Sequence, residues 1–435
     1  MCSVNHNPTR VKHLLFFSLG LLVGGSGSAQ KTTLTNPTFP VPLSPRIANY
    51  RIDVTLDADR KTLSGRETLT WRNTSTDPLS ELRFHLYLNA FRDEKSTFMR
   101  ESGGQLRGEE IDRTGKDDPY GSIDIVSMNV RGNPASQPES LTRKLRFIQP
   151  DDKNRNDRTV VRVPLTKPLT PGATISLDIL FKAKLPKIFA RTGFSRDYFL
   201  VGQWFPKIGV YEPAGMRYAK MGQWNCHQFH ADSEFYADYG VYDVNITLPQ
   251  NYQTGATGLM VSEKTSENGT KTQRWHAEDV VDFAWTASPR FEVVTDQWKK
   301  QSGNPVSIRL LVQPEHRHQA QRHLDAAKWA LAYFGKHLGA YPFPNLTIVD
   351  PPFHGSGSAG MEYPTFITAG TVSFLTDGMR FPEAVTIHEF GHQYFMQLLA
   401  SNEFEEAWLD EGFNQYYEGR IMDETYGPRA SQVDW

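Results

Sequence analysis

The chain has 435 residues, 39% of them hydrophobic and 22% charged, a balance that fills a sizeable core and suits two or three domains. Forty-seven basic residues stand against 49 acidic ones, for a formal net charge of −2. With no basic stripe and no base-stacking module in view, nucleic acid is excluded as a partner.

The N-terminus carries Arg10, Lys12 and His13, then the apolar run 14–23, then Gly27-Ser28-Ala29 ahead of Gln30. This is the layout of a secretory signal peptide over residues 1–29. The apolar run is short for a bilayer span. The chain is therefore expected to be exported, to a periplasm or the extracellular space. It would stay membrane-anchored if the segment is not cleaved, and no integral span is expected after cleavage. Of two cysteines, Cys2 lies in this segment, so Cys226 is left without an intrachain partner and is expected to be a buried thiol.

Alternating apolar and polar residues then predict strands at 50–56, 64–72 and 82–88, and further ones at 123–130, 159–163, 174–181 and 242–248. Residues 100–120 and 150–157 are polar and read as exposed loops. Segments 280–287 and 291–294 close an aromatic-rich region. Residues 30–297 are thus expected to form one large, mostly antiparallel β domain. His227 and His230 within it are read as polar packing, because no third ligand accompanies them.

Near residue 300 the pattern changes, and 298–435 is read as a second domain. A strand at 306–312 precedes helical spacing over 316–338, which Gly339 ends. An apolar strand follows at 345–349, then a glycine-rich loop at 354–360 and an edge strand at 365–368. Phe381-Pro382-Glu383 signals a helix start, and that helix is expected to end near 401–402. Asn402 and Glu405 resemble a capping pair for a last helix, which runs to about 422 before Gly427-Pro428.

The first of these two helices carries His388-Glu389-Phe390-Gly391-His392. Residues four apart share a helix face, so both imidazoles can meet one metal ion. Glu411 follows on the second helix, with eighteen residues between it and His392. Two imidazoles and one carboxylate leave an open position, the pattern of catalytic rather than structural zinc, and one Zn2+ ion is expected. In such a site Glu389 is the general base for a zinc-activated water. Asp410 is either a partner of one histidine or a solvent-facing charge.

This motif, its eighteen-residue gap and Trp408-Leu409-Asp410-Glu411-Gly412-Phe413 together resemble the gluzincin aminopeptidases, the family of membrane alanyl aminopeptidase and leukotriene A4 hydrolase. Ala359-Gly360-Met361-Glu362-Tyr363 resembles that family's Gly-Ala-Met-Glu-Asn exopeptidase motif, and Phe283-Ala284-Trp285-Thr286-Ala287-Ser288-Pro289 resembles the end of its N-terminal sheet domain. The resemblance implies an α+β multidomain fold: an antiparallel, saddle-like β-sheet domain, then a partial thermolysin-like α/β catalytic domain. It implies peptide substrates with a free N-terminus. Glu362 matches the carboxylate that binds the substrate α-amine, and Gly360 and Met361 match the edge that pairs with its backbone.

Two positions depart from the motif: Ala359-Gly360 stands for Gly-Ala, and Tyr363 for Asn. The family's oxyanion-stabilising tyrosine lies several dozen residues beyond the third zinc ligand, farther than Trp435. Tyr416 and Tyr417 do not match it and are read as packing residues. The chain is accordingly read as a truncated member. Two alternatives stand beside the aminopeptidase: a thermolysin-type endopeptidase, and a catalytically silent fragment that binds peptides or proteins. The sequence carries no signal for oligomeric state.

Overall fold

The computed structural model describes residues 38–114, 117–132, 139–299, 305–371 and 373–428. The expected signal segment 1–29 lies outside the described residues. The protein is of mixed α+β class, with antiparallel sheets first and helices after them.

An eight-stranded sheet forms the largest layer. Its order is Leu259–Thr265, Thr270–Val280, Gly240–Pro249, Ala48–Asp57, Thr62–Arg72, Thr174–Lys184, Ser122–Val130 and Glu139–Ser140. Neighbours are antiparallel except Ala48–Asp57 against Gly240–Pro249, which run parallel. The period of two is visible in burial: Tyr50, Ile52, Val54 and Leu56 face the core, while Arg51, Asp53 and Thr55 face water. Two four-stranded sheets pack beside it, one built on Tyr198–Val201 and Trp285–Ser288, the other on Leu79–His85 and Val160–Leu169.

Several sequence expectations shift here. The strand expected to reach residue 88 stops at His85, and Tyr87–Phe91 turns into a buried 3-10 helix. The Tyr87–Phe91 run has no alternation to hold it in a sheet. Asn89 fixes the turn by bonding the backbone of Ile123 and Arg158. The expected loop at 100–120 begins with helix α1, Thr97–Ser102, capped by Ser96 accepting from Met99 N and closed by left-handed Gly103. It continues with a small hairpin, Gln105–Leu106 against Glu109–Glu110.

The last sheet has the order Glu292–Trp298, Val306–Val312, Asn345–Val349, Phe366–Thr368. Its first pair is antiparallel and the next two are parallel. Segment 291–294 therefore opens this sheet rather than closing the previous region. Every residue of Asn345–Val349 is buried, as expected for a covered parallel strand. Helix α2, Ala320–His337, makes the crossover and buries Leu324, Ala327, Leu331 and Phe334 at helical spacing. Phe334 stacks on Tyr394 of helix α3, Phe381–Phe395, with ring centroids 4.9 Å apart. That helix ends earlier than expected, because the chain reverses through Met396 and left-handed Ala400. Helix α4, Phe413–Tyr426, runs past the expected stop at 422 to Gly427, the first residue that breaks it.

Candidate metal centre and its surroundings

Helix α3 starts with Pro382 in its first turn and Glu383 held by Arg322 at 2.6 Å. One helical turn apart, His388 and His392 bring their Nε2 atoms to 3.2 Å. A π-helical turn, Trp408–Gly412, leads into α4 and delivers Glu411. Its Oε2 lies 3.2 Å from His388 Nε2 and 3.8 Å from His392 Nε2. The two helices meet closely at Gly391, where a β-carbon would stand 1.7 Å from Asn414 Oδ1. Asn414 also donates to His388 O at 2.8 Å. The glycine inside the His-Glu-x-x-His motif is thus what lets α4 approach.

Each histidine is tied at its other nitrogen. His392 Nδ1 meets Asp410 Oδ1 at 2.5 Å, and His388 Nδ1 meets Glu418 Oε2 at 3.0 Å. Asp410 is buried, which decides between its two sequence readings in favour of the histidine partner. With carboxylates accepting at Nδ1, both Nε2 atoms present lone pairs toward Glu411. Three lone-pair donors then converge at 3.2–3.8 Å. Tetrahedral zinc with ligands at about 2.0–2.1 Å would space them by about 3.3 Å, so the donor set fits the ion. Electrostatics agree. Burial opposes charge on His388 and His392, yet the carboxylates win and raise them to about 11 and about 9. Glu411, first through its contact with His388, is held down to about 2. The pocket stabilises positive charge.

Glu389 is buried beside the pair, and burial lifts it to about 7. Its Oε1 faces Gly360. Gly360 and Met361 extend the sheet edge: Gly360 N donates to Thr368 O, and Thr368 N donates to Met361 O, both at 2.8 Å. Glu362 follows, buried. Its backbone is pinned to α3 and the turn after it: Gln393 Nε2 donates to Glu362 O and Tyr363 O, Gln397 Nε2 to Glu362 O, and Thr365 N to Gln393 Oε1.

The Glu362 carboxylate does not stand alone. Oxygens of Glu234, Glu362 and Glu403 all lie within 4.8 Å of one another. Burial first, then Glu234, pushes Glu362 well above the carboxylate range. Arg191 counters Glu234 at 2.5 Å. A cavity of about 20 Å³, room for roughly one water, lies between Glu362, Glu403, Gln397, Tyr363, Lys207 and Asp282. Glu403 Oε2, Gln397 Oε1 and Tyr363 Oη have no hydrogen-bond partner among the described residues.

The sequence reading missed Glu418, Glu234, Glu403 and Arg191. Glu418 had a findable signal, two helical turns after Glu411. The others come from separate segments with no local pattern. His227 and His230 pair with carboxylates of Asp151, Glu405 and Glu101, in agreement with polar packing. Cys226 is buried and its thiol is pushed up by burial. Tyr417 stacks on Phe395 at 5.3 Å, while Tyr416 is exposed.

Residues 322–434, which hold all the ligand candidates and Glu362, match the description "Peptidase family M1 domain". This chain carries a peptidase family M1 domain. Human glutamyl aminopeptidase is 28% identical to it over 203 residues, 45% of this chain and 20% of that protein. Aminopeptidase 2 of Candida albicans is 31% identical over 117 residues, 25% of this chain and 12% of that protein. The matched stretch thus spans about a fifth or less of the length of these curated relatives. The M1 zinc metallopeptidase of Deinococcus radiodurans shares the fold, with a TM-score of 0.54 and 17% identity over 90% of this chain and 74% of that one. The match of residues 322–434 to the family M1 domain implies zinc as the metal. Among the described residues, no helix is long and apolar enough to cross a membrane.

Proposed function

We propose that this chain is an exported zinc aminopeptidase that releases the N-terminal residue of peptides, with residues 30–297 as a β platform and 298–435 as the catalytic part. The observation that carries the reading is the pairing of the His388–His392–Glu411 donor set with Glu362, because helix α3 carries both histidines and its Gln393 holds the Glu362 backbone.

His388 Nε2, His392 Nε2 and Glu411 would hold the zinc, which would supply Lewis acidity toward the scissile carbonyl and a water. Glu389, shielded from solvent next to the ligands, takes a proton as general base and returns it to the leaving amine. Glu362 receives the substrate α-ammonium. Gly360 and Met361 offer a sheet edge along which the substrate backbone pairs. Asp410 and Glu418 hold the imidazole rings in their tautomer.

The test is turnover of an alanyl fluorogenic amide, with and without chelator, beside an N-acetylated copy of the same substrate. Chelator-sensitive release from the free-amine substrate alone is expected. Glu389→Gln should keep its zinc and lose about 10²–10⁴ in kcat. Cleavage of the N-acetylated substrate would point instead to an endopeptidase. Stoichiometric zinc without turnover of either would sink the enzymatic reading.

A further inference from the structure

The small hairpin at 105–110 reaches from the β platform to the metal centre. Ser356 Oγ donates to Glu109 Oε1 at 2.6 Å and moors it to the loop ahead of Gly360. At its tip stand Arg107 and Gly108, with φ of 49° and 85°. Left-handed values at both central residues are the type I′ turn, whose favoured pair is Asn-Gly. A long, unbranched cation is a poor choice for the first position on conformational grounds, so its side chain has to be sought elsewhere than in the turn.

That side chain enters the cleft. Arg107 Nη1 lies 3.4 Å from Gly360 O, and Nη2 lies 3.6 Å from Glu234 Oε1. Arg107 Nη1 and Glu389 Oε1 each lie 3.6 Å from the position a β-carbon on Gly360 would take. The guanidinium therefore hangs over the spot that the general base faces. Its side chain is 55% exposed, and among the described residues its fork of five N–H donors is engaged by two long contacts.

The other side chains of the cleft make this cation distinctive. Glu234, Glu362, Glu389, Glu403 and Glu411 are all acidic. Arg191 is 6% exposed and committed to Glu234, and Lys207 is buried against Asp282. Apart from the metal centre itself, Arg107 is, among these side chains, the cation left exposed to an anionic group on a substrate.

We propose that Arg107 is a specificity-determining residue that pairs with a carboxylate of the peptide substrate. The assignment rests on the aminopeptidase reading above. The carboxylate has two sources, an acidic side chain on the N-terminal residue or the C-terminal carboxylate of a short peptide.

The experiment uses the zinc-loaded full chain and two substrate pairs. Glutamyl and glutaminyl 4-nitroanilide differ in the side-chain charge. Alanyl-alanine and alanyl-alanine amide differ in the C-terminal charge. Arg107→Asn is the informative variant, because Asn-Gly suits the I′ turn and the melting temperature should not fall. We expect R107N to lower kcat/KM for the charged member relative to its neutral twin at least tenfold in one pair, with Arg107→Lys intermediate. A loss confined to the glutamyl pair assigns the side chain, and one confined to the dipeptide pair assigns the C-terminus. Ratios within twofold of the parent in both pairs, including a uniform loss on all four substrates, overturn the assignment. Turnover of none of the four by the parent chain overturns the aminopeptidase reading itself, and the assignment with it.

Discussion

The His388–His392–Glu411 cluster and the Glu234–Glu362–Glu403 cluster each gather three ligand atoms within 4.8 Å, yet they are made of different groups, and Glu411 is shifted down where Glu362 and Glu403 are shifted up. In the first, two imidazoles are oriented from behind by Asp410 and Glu418, and the single carboxylate is held down to about 2. In the second, Arg191 is the near counter-charge, Glu362 and Glu403 are pushed up by burial, and Glu403 keeps an oxygen without a partner among the described residues. Lone pairs fixed in advance suit an ion that accepts them. Crowded carboxylates suit a group that brings its own N–H donors, as an ammonium does. Proximity of acidic groups alone says little about what they hold; the atoms behind them decide it.

Removing one member from each cluster should break the comparison most sharply. His392→Ala is expected to abolish both zinc retention and turnover, whereas Glu362→Gln keeps stoichiometric zinc and loses about 10–100-fold in kcat/KM on free-amine substrates, the worth of a charged hydrogen bond. Metal analysis beside kinetics separates the two. Equal zinc loss in both variants would mean that the clusters form one site.

A smaller effect comes from behind the ligands. Asp410→Asn still fills the space but weakens the hydrogen bond that fixes His392, and zinc affinity should fall about 10–100-fold in a competition titration. Glu418→Gln should cost less, since His388 is more open to solvent than His392. An unchanged affinity in both would show that the rings need no such partner.

The smallest effect separates the scaffold from either site. His276 in the large sheet is raised, first by Asp243 and also by Glu278, against burial. A raised histidine contributes stability in full below its unfolded value of about 6.5, and loses that contribution as pH rises through the folded value. Urea unfolding of the parent should therefore show lower stability above the folded value than below about pH 6.5, and His276→Gln should flatten that slope. A slope unchanged by the variant would place the titration elsewhere.

What the sequence could tell followed from contact distance along the chain. His388 and His392 share one helix turn, so helical spacing alone brings them together, whereas Glu411, on the turn ahead of the next helix, was marked by its eighteen-residue gap from His392. Alternation over Ala48–Asp57 and Thr62–Arg72 was readable because each strand buries a single face. The Tyr87–Phe91 turn was not, since a continuous buried run carries no period. Helix α1 and the hairpin after it were too short for periodicity, although Ser96 and Gly103 marked the ends of α1. Glu234 and Glu403 join Glu362 only through the packing of three distant segments, and no local pattern encodes that.

Gln393 of helix α3 and Gln397 in the turn just after it have a second duty. Their amides grip the backbone at Glu362, Tyr363 and Thr365 from the helix that bears the histidines and the turn that ends it. Both side chains are buried, so moving Glu362 away from His388 and His392 would strand several amide groups without water to replace their bonds. The separation between the two clusters is consequently set when the chain folds, before any peptide arrives. The gauge itself is part of the core, and hydrogen exchange at Thr365 should report the global stability of the domain rather than a local opening.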